Sequence, residues 1–323
     1  MKQLIQQSVD LLRQMIVIPS VSGQEDEVCS MVRDWMENKG IETERINNNI
    51  IAFNKGYDED KPTLALTAHL DTVSPVVDYT RNPYDTGDSD EIVYGLGSND
   101  DGGSVVSMIA AFRYFYEKEL PVNLALVLTC EEECSGDNGA QMIFGSDSIL
   151  GNKIPNWIIF GEPTGMKAAI CERGLLVLDG VAKGVSGHAA REEGVNALYI
   201  ALDDIQKLRS HKFDRVSPTM GKVHLNVTQI NAGSAHNVIP DCCKFVVDIR
   251  PTDKYSNEEI FESLQQECRS ELIPRNLHHQ ASATNPDSPL IKVMDALGIE
   301  KYSSPTTSDW MCTEIYGIKI GPG

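Results

Sequence analysis

Positive charge is scarce in this chain. Lys and Arg total 28 against 47 Asp and Glu, a formal net charge of −19 over 323 residues. That balance argues against nucleic acid or an anionic membrane surface as a partner. The scarcity is also local, since no Lys or Arg occurs between Pro121 and Lys153. Long apolar runs are missing as well: every hydrophobic stretch is of strand length, so no membrane span is expected. The opening MKQLIQQSVDLLRQMIVIPS spaces its apolar residues as a helix does and lacks the continuous core of a secretory signal. The eight cysteines form no CxxC pair and no disulfide framework, which points to reduced thiols in a cytoplasmic protein. Internal repeats and low-complexity tracts are absent too.

What is present is an ordinary globular balance, 41% hydrophobic and 23% charged, long enough for two domains. Helical spacing is expected over Leu4–Met15, over Asp26–Asn38, and from Gly102 to Glu119. Between them lie strand-like runs: IIAF, TLALTAHLD, EIVYGLG, VNLALVLT and NWIIFGEPT. Strands alternating with helices predict an α/β sheet covered on both faces, whose chemistry gathers at the carboxyl ends of its strands. From Glu172-Arg173-Gly174 the pattern becomes LLVLDGVAKG, the helix NALYIALDDIQKLRSH, VHLNVTQINAG, CKFVVDIRP and the helix SNEEIFESLQQECRSEL. This is a compact α+β unit of about a hundred residues, the size of an inserted domain.

Carboxylates stand at the strand ends. TLALTA is followed by His69-Leu70-Asp71, IVYGLGSN by Asp100-Asp101, VNLALVLT by Cys130 and the triplet Glu131-Glu132-Glu133, and WIIFG by Glu162. One such terminus is ordinary, and a lone histidine is by default a satisfied core residue. Four termini converging on one sheet edge would repel strongly, and burying like charges without a counter-ion costs several kcal/mol. Divalent cations resolve this, because an imidazole and several carboxylates form a good zinc or manganese donor set. The alternative is a plain α/β fold whose carboxylates face water.

The pieces AHLD, GLGSNDDGG, TCEEECSG and FGEPT, with VSGHA and GSAHNVIPDCCKFVVDIRP, resemble the motifs of the di-zinc metallopeptidase family. That family includes acetylornithine deacetylase, succinyl-diaminopimelate desuccinylase, aminoacylase and carboxypeptidase G. The similarity runs along essentially the whole chain in the right order. It implies an aminopeptidase-like mixed-sheet catalytic domain (1–172 and 284–323) and an inserted ferredoxin-like lid and dimerisation domain (173–283). His69, Asp100, Glu133 and Glu162 would ligate two Zn2+, with Co2+ or Mn2+ as alternatives, and Asp71 would hold the other ring nitrogen of His69. Setting Gly136 and Gly139-Ala140 on the family's glycines makes Glu132 the general base. The register with Glu131 as base and Glu132 as ligand stays open. Asp101 is expected to be a turn residue, not a ligand. His188 would reach a partner's active site to stabilise the oxyanion. Asn237 and Arg250 would line the substrate pocket, Arg250 gripping a carboxylate, although an ordinary strand-end arginine explains it nearly as well.

One family feature is missing. The last metal ligand there is a histidine a few residues beyond a GPG-type turn, whereas this chain stops at Gly321-Pro322-Gly323. The expectation is a C-terminally truncated chain, since otherwise Asp100, Glu133 and water alone would hold the second metal. The resemblance implies hydrolysis of a small N-acyl amino acid by a cytoplasmic homodimer, first N-acetyl- or N-succinylornithine in arginine biosynthesis. Desuccinylation of succinyl-diaminopimelate comes second, and a dipeptidase or aminoacylase activity third. A non-catalytic, metal-binding dimeric paralogue is the alternative of another class.

Overall fold

An amphipathic stripe opens the chain: helix α1 (Lys2–Ile16) buries Leu11, Leu12, Met15 and Ile16. The computed structural model describes residues 2–89, 91–191 and 193–322. After α1 come α2 (Asp26–Glu37), β1 (Glu44–Ile46), β2 (Asn49–Phe53), β3 (Thr63–His69), α3 (Gly102–Phe115), β4 (Asn123–Thr129), α4 (Ala140–Phe144), β5 (Trp157–Phe160) and β6 (Ala168–Glu172). The chain continues through β7 (Leu176–Lys183), α5 (Ala197–Ser210), β8 (His224–Ala232), β9 (Cys242–Arg250), α6 (Asn257–Glu267) and β10 (Glu271–Pro274). It ends with α7 (Pro289–Leu297), β11 (Lys301–Ser304) and β12 (Gly317–Lys319). Two compact units result, one of Met1–Ile170, Ala283–Tyr302 and Ser308–Gly323, the other of Cys171–Ser282 and Ser303–Thr307.

The first unit is built on a mixed sheet in the order β1-β2-β4-β3-β5-β12-β6. Strands β4, β3, β5 and β12 run parallel to one another, while β1, β2 and β6 pair antiparallel. Every residue of β4 is buried, as a strand covered on both faces requires. Its Leu124, Leu126 and Leu128 pack with α1, α2 and α3, while Ala125 and Val127 face α4, Phe160 and Trp310. Each such aliphatic side chain contributes about 1.5–3 kcal/mol by leaving water. Helix α7 carries its own signals: Ser288 accepts the Leu290 N–H, Pro289 opens the first turn, and Gly298 closes it at φ 66°.

Two expectations need correcting. The run EIVYGLG is not a strand: among the described residues none lies between β3 and α3. Gly95 (φ 118°) and Gly97 (φ 74°) take left-handed backbone that ends extension, and a Cβ on Gly95 would lie 2.3 Å from Ile16 Cγ2. Asp100 therefore stands on a turn ahead of α3, so three sheet strands, not four, deliver carboxylates. The helix expected to run to Leu272 stops at Glu267. Cys268 turns to extended backbone and the Ser270 N–H is captured by buried Asp204, so Glu271–Pro274 becomes a strand.

The second unit is a four-stranded antiparallel sheet in the order β10-β7-β9-β8. With the helices α5 and α6 this gives β-α-β-β-α-β, the ferredoxin-like arrangement. Its core is Leu176, Leu178, Phe245, Val247, Ile249, Ile200, Ile260 and their neighbours. Helix α6 begins with a capping box between Ser256 and Glu259. Strand β8 forms one edge, nine residues long, with most of its side chains exposed.

Candidate functional site

The parallel strands β3 and β4 end side by side, His69 opposite Thr129. His69 is 3% exposed. Its Nδ1 lies 3.0 Å from the Asp71 carbonyl and 3.3 Å from Asp71 Oδ1, and its Nε2 lies 3.1 Å from Asp100 Oδ1 and 4.0 Å from Glu132 Oε2. Asp71 Oδ2 accepts the Ser22 hydroxyl at 2.6 Å. The Asp71 carboxylate also takes the N–H groups of Glu132 and Glu133, each at 3.0 Å.

The triplet leaves β4 through a tight turn. Glu131 sits at φ 60°, in the left-handed region, and Glu132–Cys134 form a single 3-10 turn. Two glycines make room for it: a Cβ on Gly139 would stand 1.9 Å from the Cys130 carbonyl oxygen, and one on Gly136 would stand 2.1 Å from Glu131 Oε2. The Glu131 carboxylate is turned away to Asn138, accepting its N–H at 3.2 Å and its Nδ2 at 3.0 Å. One ligand atom each from His69, Glu132 and Glu133 all lie within 4.8 Å of one another. Glu162 follows β5 through Gly161, whose N–H is bound to the Thr67 carbonyl at 2.7 Å.

Electrostatics mark the cluster. Burial pushes the Glu132 carboxyl well above its usual range, and the charges of Asp309, Glu162 and Glu133 add to this against the opposing His69. Burial likewise lifts Glu162 to about 8, with Lys319 opposing and Asp101 and Asp100 reinforcing. Burial works against charge on His69, but hydrogen bonds to Asp100 and Asp71 and the charge of Glu132 outweigh it, so its pKa rises well above that of free histidine. Burial also opposes charge on Asp71, yet His69, Ser22 and the Glu133 N–H hold its carboxyl below the normal range. These carboxyls are crowded as a set that shares a cation is crowded. One imidazole nitrogen beside several oxygens is a donor set that divalent zinc, cobalt or manganese accepts. The residues present fit such ions.

Several contributors were not singled out by sequence. Asp101, expected to be a turn residue, does precede α3, but it is fully buried and its Oδ2 accepts the His69 N–H at 3.2 Å. Burial raises its carboxyl to about 7. Buried Asp309 accepts the Thr129 hydroxyl at 2.7 Å. Fully buried Glu25, from the loop ahead of α2, accepts the Glu131 N–H at 3.3 Å. No periodicity or motif flags Glu25 or Asp309, and GLGSNDDGG marks Asp101 only as a turn residue, because each acts on a partner remote in sequence.

The remaining expected site residues lie in the second unit. His188 pairs with Val238 across a two-residue bridge, and the Ala189 N–H binds the Asn237 carbonyl, so exposed His188 and Asn237 are neighbours. Arg250 is at the far end of β9, eight residues from Cys242, which at ~3.3 Å per residue is roughly 26 Å. Its guanidinium already grips Asp248 at 2.9 and 3.0 Å, and Nη1 donates to Thr307 at 3.0 Å. The structure therefore keeps Arg250 apart from His188 and Asn237 within one unit. All eight cysteines are free thiols. Among the described residues no helix is long and apolar enough to cross a membrane.

Two family models match the chain: the peptidase dimerisation domain over residues 171–276 and peptidase family M28 over residues 49–159. A probable carboxypeptidase of Neosartorya fischeri is 29% identical over 267 residues, covering 74% of this chain and 60% of that protein. The acetylornithine deacetylase of Edwardsiella ictaluri is 28% identical over 283 residues, covering 80% and 71%. The chain thus spans 60–62% of the length of the fungal carboxypeptidases it matches. A tripeptidase from Staphylococcus aureus superposes with a TM-score of 0.76 at 19% identity, covering 98% of this chain and 89% of that one. A dinuclear metal-binding M20 peptidase from Bacillus subtilis superposes at 0.73 with 17% identity, covering 99% and 90%. The fold is that of the M20 peptidases.

Proposed function

We propose that this chain, an M20-fold hydrolase carrying a peptidase dimerisation domain, cleaves the amide bond of small N-acyl amino acids with the help of two bound Zn2+ ions. The observation that carries this reading is the meeting of His69, Glu132 and Glu133 within 4.8 Å at the ends of β3 and β4, backed by Asp100 at 3.1 Å from the same imidazole. His69, Asp100, Glu133 and Glu162 are the residues we assign to hold the ions. Bound dications acidify water and polarise a scissile carbonyl. Asp71 fixes the His69 ring, leaving Nε2 directed at Asp100. Glu132, its proton affinity raised by burial and like charges, is assigned to take a proton from the attacking water and return it to the departing amine. The contacts of Glu131 with Asn138 favour this register over the one with Glu131 as base.

We assign oxyanion stabilisation to His188 of the partner subunit in a homodimer formed through the inserted unit, with Asn237 and Arg250 contacting substrate. The separation of Arg250 from the other two along β9 favours two protomers sharing one site. Free cysteines and the net charge of −19 favour a cytoplasmic protein binding neither nucleic acid nor membrane. The first substrate to test is N-acetylornithine, followed by N-succinylornithine and N-succinyl-diaminopimelate. A second reading, release of a C-terminal residue from short peptides, is favoured by the carboxypeptidase relatives. Amine release from this panel and from dipeptides, with and without Zn2+ or Co2+, is the test. Metal-dependent turnover of an acyl amino acid is expected. Stoichiometric metal with no turnover on any member would overturn the catalytic reading in favour of a binding paralogue.

A further inference from the structure

Glu25 belongs to the loop ahead of α2, 106 residues from the triplet, and is fully buried. Its Oε1 accepts the Gly23 N–H at 2.6 Å and the Glu131 N–H at 3.3 Å, while Oε2 accepts Asn48 Nδ2 at 3.2 Å. The N–H groups of Glu132 and Glu133 go to Asp71. Three consecutive amides of the acidic triplet thus point into two buried carboxylates. A left-handed residue followed by a right-handed turn makes such a concavity of N–H groups, which favours anions. The left-handed start falls on Glu131, a non-glycine residue that takes this backbone only at a cost of about 1–2 kcal/mol. The Glu25 hydrogen bond is the contact that meets this residue's N–H. With the amides directed inward to Glu25 and Asp71, the side chains of Glu132 and Glu133 are left to face His69.

We infer that Glu25 is a positioning residue: by holding the Glu131 N–H it fixes the left-handed turn that aims Glu132 and Glu133 at His69. This rests on the assignment of Glu132 as the proton carrier, and the experiment separates the two. Glu25→Ala should lower kcat by 10- to 100-fold with KM changed less than threefold, because the proton carrier acts in the transition state and not in binding. Glu25→Gln keeps an oxygen for Gly23 and Glu131 and should stay within threefold of the parent. In the metal-free protein, hydrogen exchange at the Glu131 amide should accelerate at least tenfold in Glu25→Ala and little in Glu25→Gln. Should the alanine variant not fold, Glu25→Asp, one methylene short of Glu131, carries the same comparison. Parent-like kcat per folded molecule, or unchanged exchange at Glu131, overturns the inference. Accelerated exchange in a protein whose parent hydrolyses nothing supports the role of Glu25 in the turn and sinks the hydrolase assignment instead.

Discussion

Replacing Asp71 with alanine removes, in one change, the acceptor shared by Ser22 Oγ, the Glu132 and Glu133 N–H groups, and His69 Nδ1. Two of these donors have alternatives. The Ser22 hydroxyl can rotate, and His69 Nδ1 also faces the Asp71 carbonyl at 3.0 Å, which alanine keeps. The two backbone amides have no such freedom. Asp71 is 1% exposed, so water replaces its carboxylate poorly. A hydrogen bond to a charged group contributes about 1.5–3 kcal/mol, and two are lost, so the expected destabilisation is about 3–6 kcal/mol. At about 2–4 °C per kcal/mol this lowers Tm by roughly 10 °C. If His69 holds Zn2+ as proposed, loss of the group that orients its imidazole should also weaken Zn2+ binding by about 10- to 100-fold. Urea unfolding of the metal-free protein and competition of a chromophoric chelator for Zn2+ measure the two effects separately. Asp71→Asn, which preserves size and one oxygen, should lose less on both. Reduced stability with Zn2+ affinity within twofold of the parent would refute the claim that Asp71 acts on the site through His69.

Three further outcomes are expected. Glu132→Gln should bind metal normally while losing about 10²- to 10⁴-fold in kcat, and its metal-free form should melt above the parent because a buried, repelled charge is gone; calorimetry and turnover check both. Burial opposes charge on Asp204, but hydrogen bonds from Lys207 and Ser270 outweigh it and depress its pKa. Its stabilisation is therefore present above the unfolded value of about 4 and lost as pH falls through the lower folded value. The gap in urea midpoint between parent and Asp204→Asn should shrink from pH 6 to pH 3, and a pH-independent gap would contradict this. Gly139→Ala cannot place its Cβ beside the Cys130 carbonyl, so the turn must shift, at an expected cost of about 1–3 kcal/mol, visible as lower Tm together with weaker metal binding.

How far residues reveal structure differs by kind. Helical stripes such as Leu11, Leu12, Met15 and Ile16 and the β4 run are read directly, because burial imposes a period on the chain. The HxD spacing and the glutamates after β4 are legible for a similar reason: each sits at a fixed offset from a strand end. EIVYGLG misled because its apolar residues fit an extended strand, while Gly95 and Gly97 adopt backbone that only their missing side chains permit. Glu25 and Asp309 were illegible, and Asp101 was legible only as a turn residue, because their partners, Glu131, Thr129 and His69, are 106, 180 and 32 residues away. Nothing within a window of sequence distinguishes such a carboxylate from a solvated one. Asp204, whose Ser270 partner caps the start of β10, is the same case in the inserted unit.

Among the described residues no strand pairs with the outer side of β8, so the outward-facing amide and carbonyl groups of this nine-residue strand are unmatched within the inserted sheet. Such an edge recruits whatever extended peptide it meets, including misfolded copies of its own chain. Self-association along this edge should therefore grow with protein concentration. A lysine at an outward position of β8 would trade that hazard for soluble single chains.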